Sequence, residues 1–152
     1  MADTTTDRGP MIEPVAPDTE LQALLEHCGL PVADLFEEKA MAFFGCREGG
    51  NLVAVVGMET GIDAILLRSL AVATAHRGDG LARRLVAFVE HLAGARGKET
   101  LFLLTDSAAD FFRALGYTDV PREHAPDWIR AGAQFSELCP DDAAFLSKSL
   151  RG

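Results

Sequence analysis

Long apolar runs, clustered cysteines and an excess of positive charge are all missing from this chain of 152 residues. No window holds 18 uninterrupted apolar residues, and the first ten residues lack the apolar core of a signal peptide, so we expect neither a membrane span nor a secretory leader. The three cysteines are widely spaced and the four histidines form no ligand pattern with them, which argues against a disulfide framework and a zinc site. We therefore expect a cytoplasmic protein with reduced thiols and no metal.

Charge and composition narrow the possible functions further. The formal net charge is −9, from 14 basic and 23 acidic residues, which argues against partners such as nucleic acids and anionic membranes. With 48% hydrophobic and 24% charged residues, the chain has enough apolar surface for one buried core. We expect a flexible tail over residues 1–10 and a single domain over residues 11–152.

Hydrophobic periodicity predicts alternating strands and helices. The order from Ala64 to Thr105 is buried strand, glycine turn, amphipathic helix and buried strand, which predicts a βαβ unit with two parallel strands. The fold class is therefore α/β, with a mixed sheet. Strands are predicted at Ile12–Val15, Met41–Arg47, Asn51–Met58, Ala64–Val72, Thr100–Thr105 and Ala133–Leu138, and helices after Asp18, over Val32–Lys39, Leu81–Gly97 and Ala108–Leu115, and over Asp141–Leu150.

The turn between the first of these parallel strands and its helix has the composition of an anion site. Glycines at the mouth of a helix expose backbone N–H groups that lack acceptors, and the helix dipole favours negative charge there. A Walker loop would need Lys-Ser/Thr after Gly80, where this chain has Leu81-Ala82, and a dinucleotide fingerprint would need a third glycine where it has Arg83. Both alternatives fail.

The segment from Arg77 to Ala82 resembles the Arg/Gln-x-x-Gly-x-Gly/Ala motif of the Gcn5-related N-acetyltransferases (GNAT). A second match follows, since Ala108-x-x-Phe111-Phe112-x-x-x-Gly116-Tyr117 is similar to that family's later signature helix. The resemblance implies a mostly antiparallel central sheet with a splayed parallel pair, flanking helices, and acetyl-CoA as co-substrate. It assigns contacts with acetyl-CoA to Leu70, Ala71, Val72, Arg77, Gly78, Asp79, Gly80, Leu81, Ala82 and Phe112.

Two positions depart from the family pattern. Phe112 stands where members often carry a tyrosine that protonates the leaving thiolate, and Leu66 stands where some carry a catalytic glutamate. No carboxylate is evident near Leu66, so the catalytic acid and base stay unassigned. Without a base, an α-amino group with a pKa of about 8 is a better acceptor than an alkylamine with a pKa of about 10.

Arg68 and Ser69 are the candidate substrate-binding residues. A guanidinium beside the acyl carbon could hold a substrate carboxylate, while an internal ion pair is the alternative. Strict alternation along the strand places Arg68 on the face of Leu66 and Leu70, with Ser69 on the opposite face. Tyr117, the one tyrosine of the chain, is either a packing residue or a catalytic hydroxyl.

The leading hypothesis is an acetyl-CoA-dependent N-acetyltransferase acting on a small-molecule amine of amino-acid type. Leu67-Arg-Ser-Leu-Ala-Val72, Gln134-Phe135 and Leu138-Cys-Pro140 resemble the arsenic-resistance acetyltransferases of this superfamily, which implies an organoarsenical amino acid as acceptor. A catalytically silent acyl-CoA sensor or partner-binding module is the alternative. A homodimer is left open.

Overall fold

The computed structural model describes residues 11–35, 41–132 and 143–150, which form one mixed sheet with helices on its faces. The predicted tail over residues 1–10 and the strand predicted over residues 133–138 lie outside the described residues. The strands are β1 (Glu13–Val15), β2 (Met41–Glu48), β3 (Asn51–Thr60), β4 (Ala64–Val72), β5 (Thr100–Thr105), β6 (Thr118–Asp119) and β7 (Ala144–Ser149), and the helices are α1 (Thr19–His27), α2 (Leu81–Ala95), α3 (Ala109–Ala114) and α4 (Asp127–Arg130), with 3₁₀ turns at Thr74–His76 and Arg122–His124.

The seven strands of the described residues lie in the order β1-β2-β3-β4-β5-β7-β6. β4 and β5 pair in parallel, and every other neighbouring pair is antiparallel. The predicted fold class, a mostly antiparallel sheet with one parallel pair and flanking helices, is confirmed. Because a parallel pair needs a crossover, α2 has to cross one face of the sheet between β4 and β5.

The two faces of the sheet are covered by different helices. α1 begins after Asp18, whose carboxylate accepts the N–H groups of Glu20 and Leu21, as an N-cap should. Its buried leucines pack against Val55 and Ala71 on one face. On the other face, the apolar side of α2, including Leu85 and Val89, packs into the largest hydrophobic cluster.

Two helix predictions need correction. The helix predicted over Asp141–Leu150 is wrong, because Ala144–Ser149 forms strand β7 and pairs with the whole of β5. That pairing satisfies the free edge of β5, and Phe145 stacks on Phe102 with the ring centroids 5.4 Å apart. Of the helix predicted over Val32–Lys39, residues 32–35 form a turn instead, and the remainder lies outside the described residues.

β4 and β5 pair only over their first halves and then separate. Their paired residues run from Ala64 with Thr100 to Leu67 with Leu103, after which β4 continues to Val72 without β5 beside it. β5 remains paired with β7 as far as Thr105. The predicted splay of the parallel pair is therefore present.

A β-bulge lies in β4 just beyond the last parallel pair. Gly57 of β3 pairs with Arg68 of β4, and Val55 pairs with Ala71. Between these two pairs β3 has one residue and β4 has two, so β4 contains one extra residue. Ser69 has φ +56, the one positive value among described residues other than glycine. The bulge inverts the alternation of side chains, so Ala71 packs on the α1 side whereas Leu70 packs with the α2-side cluster. The prediction that Leu70 shares a face with Arg68 is therefore wrong.

Candidate active site

A cavity of about 600 Å³ opens where β4 and β5 separate. The bulge of β4 and the end of β5 form two of its sides, and the segment after α1 forms a third. Because the strands part here, the cavity reaches residues of both sheet faces, with Leu103 in the α2-side cluster and Leu104 in the opposite one. It is lined by Gly29–Ala33, Leu67–Leu70, Leu103–Ala108 and Phe112.

The glycine loop lies at the far end of β4, where α2 begins. Gly78 and Gly80 have φ +89 and +81, and no atom lies within 4 Å of where a Cβ would stand on either. Gly80 is the N-cap of α2 and supplies no side chain to the first-turn N–H groups. This exposed turn therefore offers unpaired donors at the positive end of a 15-residue helix, which fits a phosphate ester.

Arg77 is tied to the end of β4 rather than extended away from it. Its Nε donates a hydrogen bond to the carbonyl oxygen of Val72 at 3.0 Å, and its Nη2 lies 3.7 Å from the Cys28 sulfur. Arg77, Gly78 and Asp79 are exposed, and so is Gly80. Of the predicted contact residues between Leu70 and Ala82, Ala71 and Leu81 are buried, and the loop from Arg77 to Gly80 is exposed.

Arg68 lines the cavity but is held by two buried carboxylates. Its Nη1 lies 2.6 Å from Asp34 Oδ2 and 2.8 Å from Glu59 Oε2, its Nη2 lies 2.7 Å from Asp34 Oδ1, and its Nε donates to Ser69 Oγ at 3.0 Å. A guanidinium has five N–H donors, so at most one is left for a substrate. Only 1% of the Arg68 side chain is exposed.

The ion pairs also keep the Arg68 guanidinium charged. Burial lowers the pKa of this group, but the hydrogen bonds and negative charges of Asp34 and Glu59 outweigh it and raise the pKa. Of the two roles left open for Arg68, the internal ion pair is present. With at most one N–H left, Arg68 is not free to bind a substrate carboxylate through two hydrogen bonds.

Glu59 and Asp34 are the residues that sequence reasoning missed. Glu59 pairs directly with Leu66 across β3 and β4, so the expectation that no carboxylate lies near Leu66 is wrong. The predicted strands at Asn51–Met58 and Ala64–Val72 leave Glu59 in the turn between them, whereas β3 continues to Thr60. A tighter turn, centred between Ile62 and Asp63, would have predicted the pairing from the sequence alone. No comparable signal marks Asp34, which lies between α1 and β2.

Phe112 lines the cavity at its α3 end, and the Tyr117 ring packs against Phe112. Phe112 is 3% exposed and meets the Tyr117 ring edge-on, with the centroids 5.5 Å apart. The Tyr117 hydroxyl donates to Glu90 Oε2 at 2.7 Å, and Lys148 Nζ lies 3.2 Å from the same oxygen. Burial, followed by the hydrogen bond and charge of Glu90, raises the pKa of Tyr117. The Tyr117 hydroxyl therefore has a structural role. Its bond to Glu90 links the segment after α3 to α2, and Glu90 also binds Lys148 of β7.

A family comparison decides the nature of this site. The sequence profile described as "Acetyltransferase (GNAT) domain" matches residues 39–119, more than half of the chain. The chain belongs to the GNAT acetyltransferase family. The predicted enzyme class, a GNAT-type acetyltransferase, is confirmed with it. The match includes β4, the glycine loop, α2, β5 and α3 of this GNAT chain.

Solved structures share the fold. N-acetylglutamate synthase from Neisseria gonorrhoeae, complexed with coenzyme A and N-acetyl-glutamate, superposes with a TM-score of 0.74 at 18% identity, covering 95% of this chain and 36% of the synthase. A GNAT-family acetyltransferase from Staphylococcus aureus gives 0.73 at 15% identity, covering 93% and 100%. An aminoglycoside 6'-N-acetyltransferase complexed with coenzyme A gives 0.70 at 16% identity, covering 93% and 98%. This GNAT chain thus spans about a third of the synthase.

Metal binding and membrane spanning can be judged for the part of the chain that the structure describes. Within it, no three His, Cys, Asp or Glu side chains come together in a way that could hold a metal ion. None of its helices has the length and hydropathy needed to cross a membrane.

Proposed function

We propose that this enzyme transfers the acetyl group of acetyl-CoA to the amine of a small molecule in the cavity between β4 and β5. The observation that carries the proposal is the separation of these strands at a bulge that leads directly to the glycine loop. Beyond Leu67 the side of β4 that faced β5 has no strand partner among the described residues. Its backbone groups can pair with the amides of pantetheine, as an added strand would.

The residues of β4 and the loop act mainly through their backbone. N–H groups at the start of α2 would bind the pyrophosphate, with Gly78 and Gly80 leaving space for it. N–H groups at the bulge would polarise the thioester carbonyl, a contribution that is large in a site closed to water. The amine then attacks the carbonyl carbon, the C–N bond forms and the C–S bond breaks, the nitrogen releases a proton to water, and the thiolate takes one up. Phe112 has no proton to give, so water is the proposed donor.

The proposed acceptor has an amine of low pKa, such as an α-amino group. Glu59 participates in the Arg68 ion pair, so no catalytic role is proposed for it, and an amine that is partly neutral near pH 8 needs less help. Organoarsenical amino acids belong to this class. The argument from Arg68 for a substrate carboxylate is withdrawn, since that guanidinium is engaged.

Calorimetric titration with acetyl-CoA and a thiol-release assay test the proposal together. We expect saturable binding, and release of CoA that depends on an acceptor from a panel of α-amino acids, arsenical analogues, alkylamines and aminoglycosides. No binding at millimolar acetyl-CoA would reject the function. Faster turnover of alkylamines than of every α-amino compound would reject the acceptor class alone.

A silent acyl-CoA sensor is the second candidate, favoured by the absence of a hydroxyl on Phe112, which is buried in the cavity wall. It predicts binding of acetyl-CoA without acceptor-dependent release of CoA. Sustained turnover with any acceptor of the panel excludes it.

A further inference from the structure

Ser69 has a backbone conformation that its surroundings must maintain. Its φ of +56 lies in the left-handed region, which is disfavoured for residues that carry a Cβ. Such a conformation persists where neighbouring contacts over-determine it, commonly at functional sites. Here it produces the bulge at the cavity wall, so whatever holds Ser69 also sets the course of the chain toward Val72.

The contact that holds Ser69 comes from Arg68. Arg68 Nε donates to Ser69 Oγ at 3.0 Å. The guanidinium itself cannot turn away, because Asp34 binds it through both oxygens and Glu59 binds it from β3. Its central carbon also lies 5.9 Å from the centre of the Phe43 ring. Three of its N–H groups, bound by Asp34 and Glu59, thus fix its plane, and the fixed plane directs Nε at Ser69.

We propose that Asp34 and Glu59 are positioning residues for acetyl transfer, which act through Arg68 to hold the Ser69 bulge in the shape that polarises the thioester carbonyl. This inference rests on the function proposed above. Neither carboxylate needs to touch a substrate in this role. It explains why two carboxylates and a guanidinium are buried against the one irregular point of β4, where an apolar cluster would pack as well.

The test observes the carbonyl itself. Acetyl-CoA labelled with ¹³C at the thioester carbonyl is bound to each variant, and its infrared C=O band is compared with that of free acetyl-CoA. In the unaltered chain the band should lie below the free value, because hydrogen bonding weakens the C=O bond. In Ser69→Ala and Glu59→Gln it should return toward the free value. Affinity by calorimetry should change by less than about threefold, because the phosphate-binding loop is untouched.

Ser69→Gly separates holding the bulge from contacting the substrate. Both Ser69→Ala and Ser69→Gly lack the hydroxyl, but glycine adopts a positive φ without steric cost. The band should therefore stay lower in Ser69→Gly than in Ser69→Ala. Asp119→Asn, which removes a carboxylate from an exposed ion pair with Arg113, is the matched control for Glu59→Gln and should leave the band in place.

Each contrary result has one meaning. A band that stays at the position of the unaltered chain in Ser69→Ala and Glu59→Gln overturns the positioning role. So does an equal return toward the free value in Ser69→Ala and Ser69→Gly, which would make the hydroxyl a direct ligand. If Glu59→Gln does not fold by circular dichroism, the two Ser69 variants decide. Failure of the unaltered chain to bind acetyl-CoA is a different outcome, which overturns the proposed function together with this inference.

Discussion

The two sides of the cavity are built in different ways. The side proposed for acetyl-CoA is one continuous segment, from the end of β4 through the glycine loop into α2, and the proposed contacts are made by its backbone N–H groups. The side around Arg68, which we call the acceptor side, is built from buried side chains, with Asp34 lying 34 residues and Glu59 nine residues before Arg68. The first side can be recognised from a short stretch of sequence, whereas the second exists only once the sheet has formed.

This difference predicts different responses to mutation. A site made of backbone groups tolerates most side-chain changes and fails where a side chain enters space reserved for the ligand. A site made of buried charges loses folding stability before it loses ligand affinity, because removing one charged partner leaves the other buried charges uncompensated. The following changes test that contrast.

The largest effect is expected from Arg68→Leu. This change leaves the Asp34 and Glu59 carboxylates buried without their guanidinium, so the free energy of unfolding should fall by about 3–5 kcal/mol. Urea denaturation measures it. Arg113→Leu is the matched control, because the side chain of Arg113 is 44% exposed and pairs with Asp119 and Asp110 at the surface, where ion pairs contribute little.

If Arg68→Leu has the same free energy of unfolding as the unaltered chain, the two sides of the cavity do not differ in the way described above. The ion cluster would then be dispensable for folding, and a rise in the acceptor KM of that variant would restore Arg68 as a substrate ligand.

The next largest effect is expected from Gly80→Asp. A carboxylate at this position enters the open space beside the first turn of α2 and repels the pyrophosphate, so affinity for acetyl-CoA should fall by about 100-fold or more. Titration calorimetry measures the dissociation constant. Gly97→Asp is the matched control, because Gly97 has a similar φ of +79, equally open surroundings and a place beyond the other end of α2.

A similar affinity in both glycine variants would show that the loop does not bind the phosphates. The acetyl-CoA side would then have to be sought elsewhere along the cavity, and the contrast between its two sides would lose its basis.

What the sequence predicted correctly is what depends on local pattern. The bounds of β4 and β5 match the prediction, and α2 begins where its apolar periodicity begins, at Leu81. The glycine loop was recognisable because the residue types and their spacing carry the chemistry themselves. The family motifs fall in this same stretch.

What failed depends on contacts between distant segments. Ala144–Ser149 becomes a strand because β5 offers an edge, a tertiary effect that outweighs the preference for a helix. The bulge at Ser69 leaves no mark in a run of apolar residues, and the pairing of Glu59 with Leu66 depends on where one turn is centred. Each concerns the acceptor side or the strand that completes its sheet.

The smallest effect is expected from the side-chain network on the acetyl-CoA side. Tyr117 is the chain's one tyrosine, so tyrosinate absorbance reports on it alone. In the unfolded chain the Tyr117 hydroxyl should titrate with a pKa of about 10. In the folded chain, burial and Glu90 raise its pKa. The native protein should therefore show no tyrosinate at pH values where the unfolded chain has titrated.

The same shift sets the pH dependence of stability. Since the folded state holds the Tyr117 proton more tightly, this contribution is complete below a pH of about 10 and is lost as the pH rises above it. Tyr117→Phe removes that dependence and the hydrogen bond to Glu90, lowering the free energy of unfolding by about 1 kcal/mol at neutral pH. Its affinity for acetyl-CoA should not change, because the phenylalanine keeps the ring against Phe112 while the ligand is bound by backbone groups. A weaker affinity would mean that this side, too, depends on a side-chain network, and native titration near 10 would mean that the hydroxyl does not lie against Glu90.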